Sequence, residues 1–187
     1  MNIVLHQPGI ALNTGNIGRT CTATGSVLHL IEPFGFRLDE KEIRRAGMDY
    51  WEKLDVRRYI NFEDFLDKNP GIASSGPLPE KMPANAEKAS ATRKPRLYMA
   101  TTKAHQNYCD VDYGPEDYIM FGNESRGIPE EILIDYEPTS IRIPMGKEIR
   151  SLNLANSVAI VLYEALRQNG FAGLEEEGNL HRLQWKE

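Results

Sequence analysis

Six short β-like runs alternate with helical patterns along this chain, and that alternation narrows the possible folds more than any other feature. Strands that alternate with helices build a parallel sheet with helices packed on its faces. Asn2–His6 opens the series as an apolar run suited to burial on both faces. Asn16–Thr24 fits a short helix that Gly25 can end, and Ser26–Glu32 supplies a second strand through Val27, Leu28, Leu30 and Ile31. Asp39–Ala46 begins with acids and finishes on Arg44 and Arg45, the polarity a helix dipole favours, with Gly47 as its stop. Val56–Ile60 and Phe62–Asp67 repeat strand then helix. Arg96–Thr101, Asp117–Phe121 and Thr139–Pro144 read as three further strands, with a short helix at Pro129–Ile134. Ser151–Asn169 is the strongest helical pattern: Leu152, Ala155, Val158, Ala159, Leu162 and Leu166 recur at helical spacing, and Asn169-Gly170 closes it. The expected class is α/β, an open parallel sheet flanked by helices.

The rhythm breaks once. Asn69–Pro95 carries Asn69-Pro70-Gly71, then Gly76-Pro77-Leu78-Pro79, then a stretch of Ala, Lys, Glu and Ser, and it reads as a surface insertion. With 187 residues, the expectation is a single domain over residues 1–170, the insertion at about 69–95, and a carboxyl-terminal tail at 171–187. No stretch approaches the roughly 18 apolar residues of a membrane span, and the first residues lack a basic leader. Cys21 and Cys109 show no metal spacing and read as reduced thiols, so a cytoplasmic protein with no bound metal and no membrane partner is expected. The net charge of −5 supplies no overall basic field for nucleic acid, but Arg44-Arg45, Arg57-Arg58 and Arg93-Lys94-Pro95-Arg96 form local basic knots. Such knots are either solvated surface charge or contacts to a polyanion.

Three segments have a composition that packing alone leaves unexplained. Asn13-Thr14-Gly15-Asn16-Ile17-Gly18-Arg19 follows the first strand and sets amides, glycine and a guanidinium at a strand's carboxyl end, where α/β proteins place their sites. Thr14 or Asn16 can equally cap the helix, and Arg19 can reach a phosphate or orient a hydroxyl. Phe121-Gly122-Asn123-Glu124-Ser125-Arg126-Gly127 brackets an acid and a base between glycines, either a ligand loop or a tight turn with an internal ion pair. Its glycine spacing differs from the dinucleotide fingerprint, which argues against a nucleotide-dependent oxidoreductase. Ile141-Arg142-Ile143-Pro144-Met145 leads into Ser151-Leu152-Asn153-Leu154-Ala155-Asn156, where Ser151 suits a helix N-cap and Asn153 and Asn156 share a helical face.

Taken in this order, Asn-x-Gly-Asn-Ile-x-Arg, Phe-Gly-x-Glu-x-Arg-Gly, and Ile-Pro-Met with Ser-Leu-Asn-Leu-x-Asn resemble the motifs of the SPOUT RNA 2′-O-methyltransferases. The resemblance is strongest to the small stand-alone group that methylates the wobble cytidine or uridine of tRNA. His29-Leu30-Ile31-Glu32-Pro33, Arg44-Arg45-Ala46-Gly47-Met48-Asp49-Tyr50, Thr101-Thr102-Lys103 and Val161-Leu162-Tyr163-Glu164-Ala165 extend it over most of Asn2–Gly170. It implies a deep trefoil knot in the carboxyl-terminal part of the sheet, S-adenosylmethionine as methyl donor, tRNA as substrate and a homodimer.

By the same resemblance, Ala100, Thr101, Gly122, Glu124, Ile143, Met145 and Ser151 are expected to contact the donor. Arg19, Glu124, Ser151 and Asn153 are the expected catalytic group, and Asn13, Asn16, Arg19, Arg44, Arg45 and Tyr163 the expected RNA contacts. Arg19 is assigned as a general base in related enzymes, yet deprotonating a guanidinium of pKa about 13.8 at neutral pH costs roughly 9 kcal/mol. Orienting the target phosphate and stabilising the developing alkoxide is the less demanding role. The alternatives are a superfamily member acting on rRNA or another tRNA site, and an inactive RNA-binding module. The first group generally carries an RNA-binding domain ahead of the catalytic one, and the second would not retain Arg19, Glu124, Ser151 and Asn153 together.

Overall fold

The structure is a computed structural model, and it describes residues 1–36, 51–72 and 93–185. The strands are β1 (Asn2–His6), β2 (Val27–Ile31), β3 (Val56–Tyr59), β4 (Leu97–Ala100), β5 (Gln106–Asn107), β6 (Tyr118–Phe121) and β7 (Ser140–Arg142). The α-helices are α1 (Ala11–Thr24), α2 (Phe62–Lys68), α3 (Glu130–Leu133) and α4 (Leu154–Gln168), with short 3-10 turns at Trp51–Lys53 and Ile134–Thr139. All strand pairs are parallel, in the order β3-β2-β1-β6-β4-β7-β5. The chain steps outward through β2 and β3, crosses to β4 and β5, and then returns twice. On those returns β6 enters between β1 and β4, and β7 between β4 and β5. The carboxyl ends of β4, β6 and β7 therefore share one edge, the place where parallel sheets gather their functional loops.

Strand alternation divides the apolar side chains between two cores. Ile3 stands beside Leu28 and Ile119, and Leu5 beside Leu30 and Phe121, all on the face covered by α1 and α4. Ile17 and Cys21 from α1, with Val158, Val161, Leu162 and Ala165 from α4, close that layer. Val4, Ile31, Met99 and Met120 face the other way, under Phe65 of α2 and Leu133 and Tyr136 beyond β6. Burial pushes the Cys21 thiol up to about 12, so it behaves as a small apolar side chain. Among the described residues, no helix is long and apolar enough to cross a membrane.

The second core also holds a polar chain. Asn2 Nδ2 donates to the Glu116 carbonyl at 3.0 Å, leaving its Oδ1 to accept from His29 Nε2 at 3.2 Å. His29 Nδ1 then accepts the Tyr59 hydroxyl at 2.8 Å. Asn69 donates to the Tyr59 oxygen and accepts from Tyr118, both at 3.2 Å. Every group in this chain finds a partner with His29 neutral. Burial, helped by Arg57 and opposed by Asp55, lowers the His29 pKa to about 4.

Most expected elements stand within a residue or two of their expected bounds, and the exceptions have physical causes. α1 begins at Ala11 rather than Asn16: its N-cap is Ile10 rather than Thr14 or Asn16, and Glu124 holds the Gly9 and Ile10 amides just ahead of its first residue from across the chain. α4 begins at Leu154 rather than Ser151, since Asn153 is its N-cap; its Oδ1 accepts from Ala155 N at 2.9 Å and Asn156 N at 3.3 Å. Asn156 is exposed, so its polarity needs no buried partner. The two-residue strand β5 was not legible. The expected helix Asp39–Ala46, with Arg44 and Arg45, and most of the expected insertion lie outside the described residues.

Arginines in two of the basic knots pair with carboxylates. Arg57 pairs with Asp55 at 2.8 Å and Arg58 with Glu32 at 2.9 Å. Arg93 clamps the buried Asp117 carboxylate, which also accepts from Arg96 N and Gly114 N at 2.8 Å each. Arg93 thus anchors the start of β4 to that of β6, a packing role that the run of basic residues did not suggest.

Candidate functional site

Where β4, β6 and β7 end, their three following loops and the start of α4 enclose a cavity of about 500 Å³. That is the size of pocket that takes a small organic ligand, typically about 300–1,000 Å³. All the residues expected to contact the donor line it: Ala100 and Thr101 after β4, Gly122 and Glu124 after β6, Ile143, Met145 and Ser151 after β7. Apolar wall comes from Ile128, Leu154 and Val161, and a phenol from Tyr108. The sequence reading missed these four. Leu154 and Val161 fall outside the apolar spacing read for the long helix, and nothing near Tyr108 marked it.

The loop after β6 is held by hydrogen bonds of its own and to β1. Gly127 N donates to Asn123 O at 2.7 Å, while Asn123 Oδ1 accepts from Ser125 N at 3.0 Å and Arg126 N at 3.2 Å. Asn123 Nδ2 reaches back to the Gln7 carbonyl at 2.8 Å, tying the loop to the end of β1. Gly127 adopts φ 73°, which favours glycine, and a Cβ on Gly122 would strike the backbone of Gly127 and Ile128. Both glycines are therefore needed for the loop to fold back on itself beside the cavity.

Glu124 proves to be a fastener between elements rather than half of an internal ion pair with Arg126. Its Oε2 accepts from Gly9 N at 2.7 Å, and its Oε1 from Ile10 N at 3.2 Å and Asn13 Nδ2 at 3.0 Å. The carboxylate thereby satisfies amides at the amino end of α1, where negative charge is favoured and where the N-cap Ile10 offers no side-chain acceptor. Asn13 Oδ1 in turn accepts from Asn153 Nδ2 at 3.0 Å, and Asn153 caps α4. Glu124, Asn13 and Asn153 thus lock the amino ends of two helices to the loop after β6. Their amide and carboxylate groups are largely committed to one another, the geometry of residues that position others.

Arg19 and Asn16 sit on the exposed side of α1 and do not line the cavity; Tyr163 is exposed on α4. Six residues of helix separate Arg19 from the anchored Asn13, about 9 Å along the axis. Leu12, Ile160 and Tyr163 are 68%, 37% and 47% exposed and add apolar surface to the same two helices.

Residues 1–75 and 78–163 match the SpoU rRNA Methylase family. The chain belongs to that family. A tRNA (cytidine(34)-2′-O)-methyltransferase of Yersinia pestis is 43% identical over 175 residues, covering 92% of this chain and 96% of that protein. A protein of the same description from Aeromonas hydrophila is 42% identical over 179 residues, covering 95% and 99%. A solved structure described as giving insight into the 2-OH methylation of C/U34 on tRNA superposes with a TM-score of 0.74 at 36% identity, covering 90% of this chain and 95% of that one. Within this SpoU methylase, the cavity thus lies at the carboxyl edge of a sheet shared with relatives over nearly the whole chain.

Proposed function

We infer that this chain transfers a methyl group from S-adenosylmethionine to the ribose 2′-hydroxyl of the wobble nucleotide, cytidine or uridine, in a tRNA anticodon loop. The observation that carries this reading is the match of 92% of the chain, at 43% identity, to a tRNA (cytidine(34)-2′-O)-methyltransferase. The cavity is compatible with the donor in size and chemistry: apolar wall from Ile128, Leu154 and Val161 for an adenine ring, and close backbone at Gly122 for polar contacts. Ala100, Thr101, Gly122, Ile143, Met145 and Ser151 would hold it. When bound, the donor supplies a methyl group made electrophilic by its sulfonium charge, and no metal is called for.

The protein's part is chiefly to position and to stabilise charge. Arg19 orients the phosphate beside the target ribose and stabilises the alkoxide as the hydroxyl proton leaves to water or to that phosphate. Glu124, Asn13 and Asn153 fix α1, which carries Arg19, relative to the loop after β6. Because Arg19 does not line the cavity of its own chain, a homodimer that brings it to the partner's cavity completes the site. The exposed Leu12, Ile160 and Tyr163 offer apolar surface for that contact. The double return of the chain into the middle of the sheet is in keeping with a carboxyl-terminal knot. The cytoplasm, where tRNA is modified, is the proposed location.

Mapping ribose methylation in tRNA and rRNA from cells lacking the protein tests the reading. Loss confined to position 34 of one or more tRNAs is expected; loss at an rRNA site, or no loss, overturns it. In single-turnover assays, Arg19→Lys keeps the charge but loses the planar fork, and should slow methylation by about 100-fold. Donor affinity in the same variant should be unchanged, and near-normal turnover removes Arg19 from the reaction centre.

A further inference from the structure

Among the described residues, the charges that line the cavity are mostly basic. Lys103, Arg126, Arg142 and Arg150 line it, against a single acid, Glu124, whose oxygens already accept three N–H groups. This positive rim belongs to a chain of net charge −5. Away from the cavity, Arg57, Arg58, Arg93 and Arg167 each pair with a carboxylate. Among the described residues, none stands within ion-pair distance of Arg126, Arg142 or Arg150, whereas Lys103 is paired with Glu130 at 2.6 Å.

The three arginines also arrive from separate segments. Arg126 is presented by the turn that Asn123 Oδ1 holds through the Ser125 and Arg126 amides. Arg142 ends β7 and is half-buried, its backbone fixed where its carbonyl accepts from Tyr108 N at 2.9 Å. Arg150 immediately precedes Ser151 on the approach to α4. The half-buried Arg142 guanidinium gives up solvation and gains no carboxylate from the described residues in return. With the exposed Arg126 and Arg150 lining the same opening, it holds a positive potential ready for an anion. The methyl donor brings its own sulfonium charge, so the whole rim is not matched to it; a strand of phosphodiesters is.

We propose that Arg126, Arg142 and Arg150 form a binding subsite for RNA backbone phosphates at the mouth of the cavity, holding the strand that carries the target ribose. This deepens the methyltransferase reading and rests on it for the identity of the polyanion. The planar fork of arginine suits bidentate contact with phosphate oxygens, which fixes the strand's register as well as its affinity.

The test uses the full chain and the substitutions Arg126→Gln, Arg142→Gln and Arg150→Gln, alone and combined. Anisotropy of labelled tRNA gives the dependence of affinity on salt, and calorimetry gives donor affinity. Each neutralised phosphate contact should lower the slope of log K against log salt by about 0.7–0.9 and leave donor affinity within about twofold. Arg→Lys variants should recover most of the slope. Unchanged affinity and slope in the triple variant, with its thermal unfolding also unchanged, overturn the proposal and make the rim ordinary solvated charge. A tenfold or larger loss of donor affinity with an unchanged tRNA slope also overturns it, because the arginines then hold the donor's carboxylate. Where folding suffers, the Arg→Lys series alone decides, since lost affinity at unaltered charge and fold still reports the bidentate contact. If the unaltered chain binds tRNA through these arginines but methylates no position 34, the functional reading fails while the subsite stands.

Discussion

Two polar networks bind distant parts of this chain, and they end differently. Beneath α2, Asn2, His29, Tyr59, Asn69 and Tyr118 satisfy one another inside the second core. At the carboxyl edge, Glu124, Asn13 and Asn153 join the ends of α1, α4 and β6, and that network opens onto a cavity rimmed by arginines that have no carboxylate partner among the described residues. Both are hydrogen-bonded, and both cross more than 20 residues of sequence, so satisfaction alone does not separate structure from function. The separating features are the open space and the unneutralised charge beside the second network. The first network is closed within the folded chain, while the second borders the cavity and its arginines.

The sharpest way to break this contrast is at Gly122. A methyl group there meets the Gly127 and Ile128 backbone, which cannot yield as a side-chain tip would, so Gly122→Ala should cost about 3 kcal/mol of stability. Thermal unfolding reads the cost, and calorimetry should show donor binding lost with it. A variant as stable as the parent would mean the loop has another arrangement. Glu124→Ala comes next. Removing the acceptor of two backbone amides and Asn13 frees the amino end of α1, at about 1–2 kcal/mol in stability. Methylation should fall by about 100-fold through misplacement of α1, with Glu124→Gln recovering part because one acceptor oxygen remains. Equal losses in the Ala and Gln variants would point to a role for the charge itself and against positioning.

The same contrast explains what could be read from sequence. The strands and the long helix were legible because burial on both faces makes short continuous apolar runs of β1 and β2, and burial on one face repeats Val158, Leu162 and Leu166 at helical spacing, as local facts. The donor loops were legible only as a set of motifs in order, since no single one distinguishes a ligand loop from a turn. The start of α1 was not legible, because the Gly9 and Ile10 amides just ahead of it are held by Glu124, more than 110 residues away. Nor was the role of Arg93, whose partner Asp117 looked like the first residue of a strand. Local composition carries periodicity and turn chemistry; pairing across the sheet depends on register and topology, which composition does not encode.

Acid should act on the closed network through His29. His29 titrates near 4 in the folded chain against an ordinary value of 6.5, so between these limits the unfolded chain binds the proton and the folded chain does not. Stability is then fully present above pH 6.5 and falls as pH drops toward 4, by about 2 kcal/mol at pH 5. His6, also lowered by burial with Arg126 adding and Glu63 opposing, contributes in the same direction. Urea unfolding at several pH values measures the slope, and His29→Gln, which has no proton to take up, should flatten it. An unchanged slope in that variant would assign the acid sensitivity elsewhere.

Tyr59→Phe should have the smallest effect and gives the cleanest separation of the two networks. It removes the donor to His29 Nδ1 and one acceptor of Asn69, while Asn69 Nδ2 keeps the Phe65 carbonyl at 2.7 Å. The ring still packs edge-on against Phe65, so the cost is confined to the hydroxyl, about 1 kcal/mol. Methylation under single-turnover conditions should be unaffected at temperatures where the variant is folded, because nothing in this network reaches the cavity. A variant that loses turnover out of proportion to stability would show that the two networks communicate through β1, which carries Asn2 at one end and leads into Gly9 and the Glu124 contact at the other. The ratio of turnover loss to stability loss therefore measures how separate the scaffold and the site are.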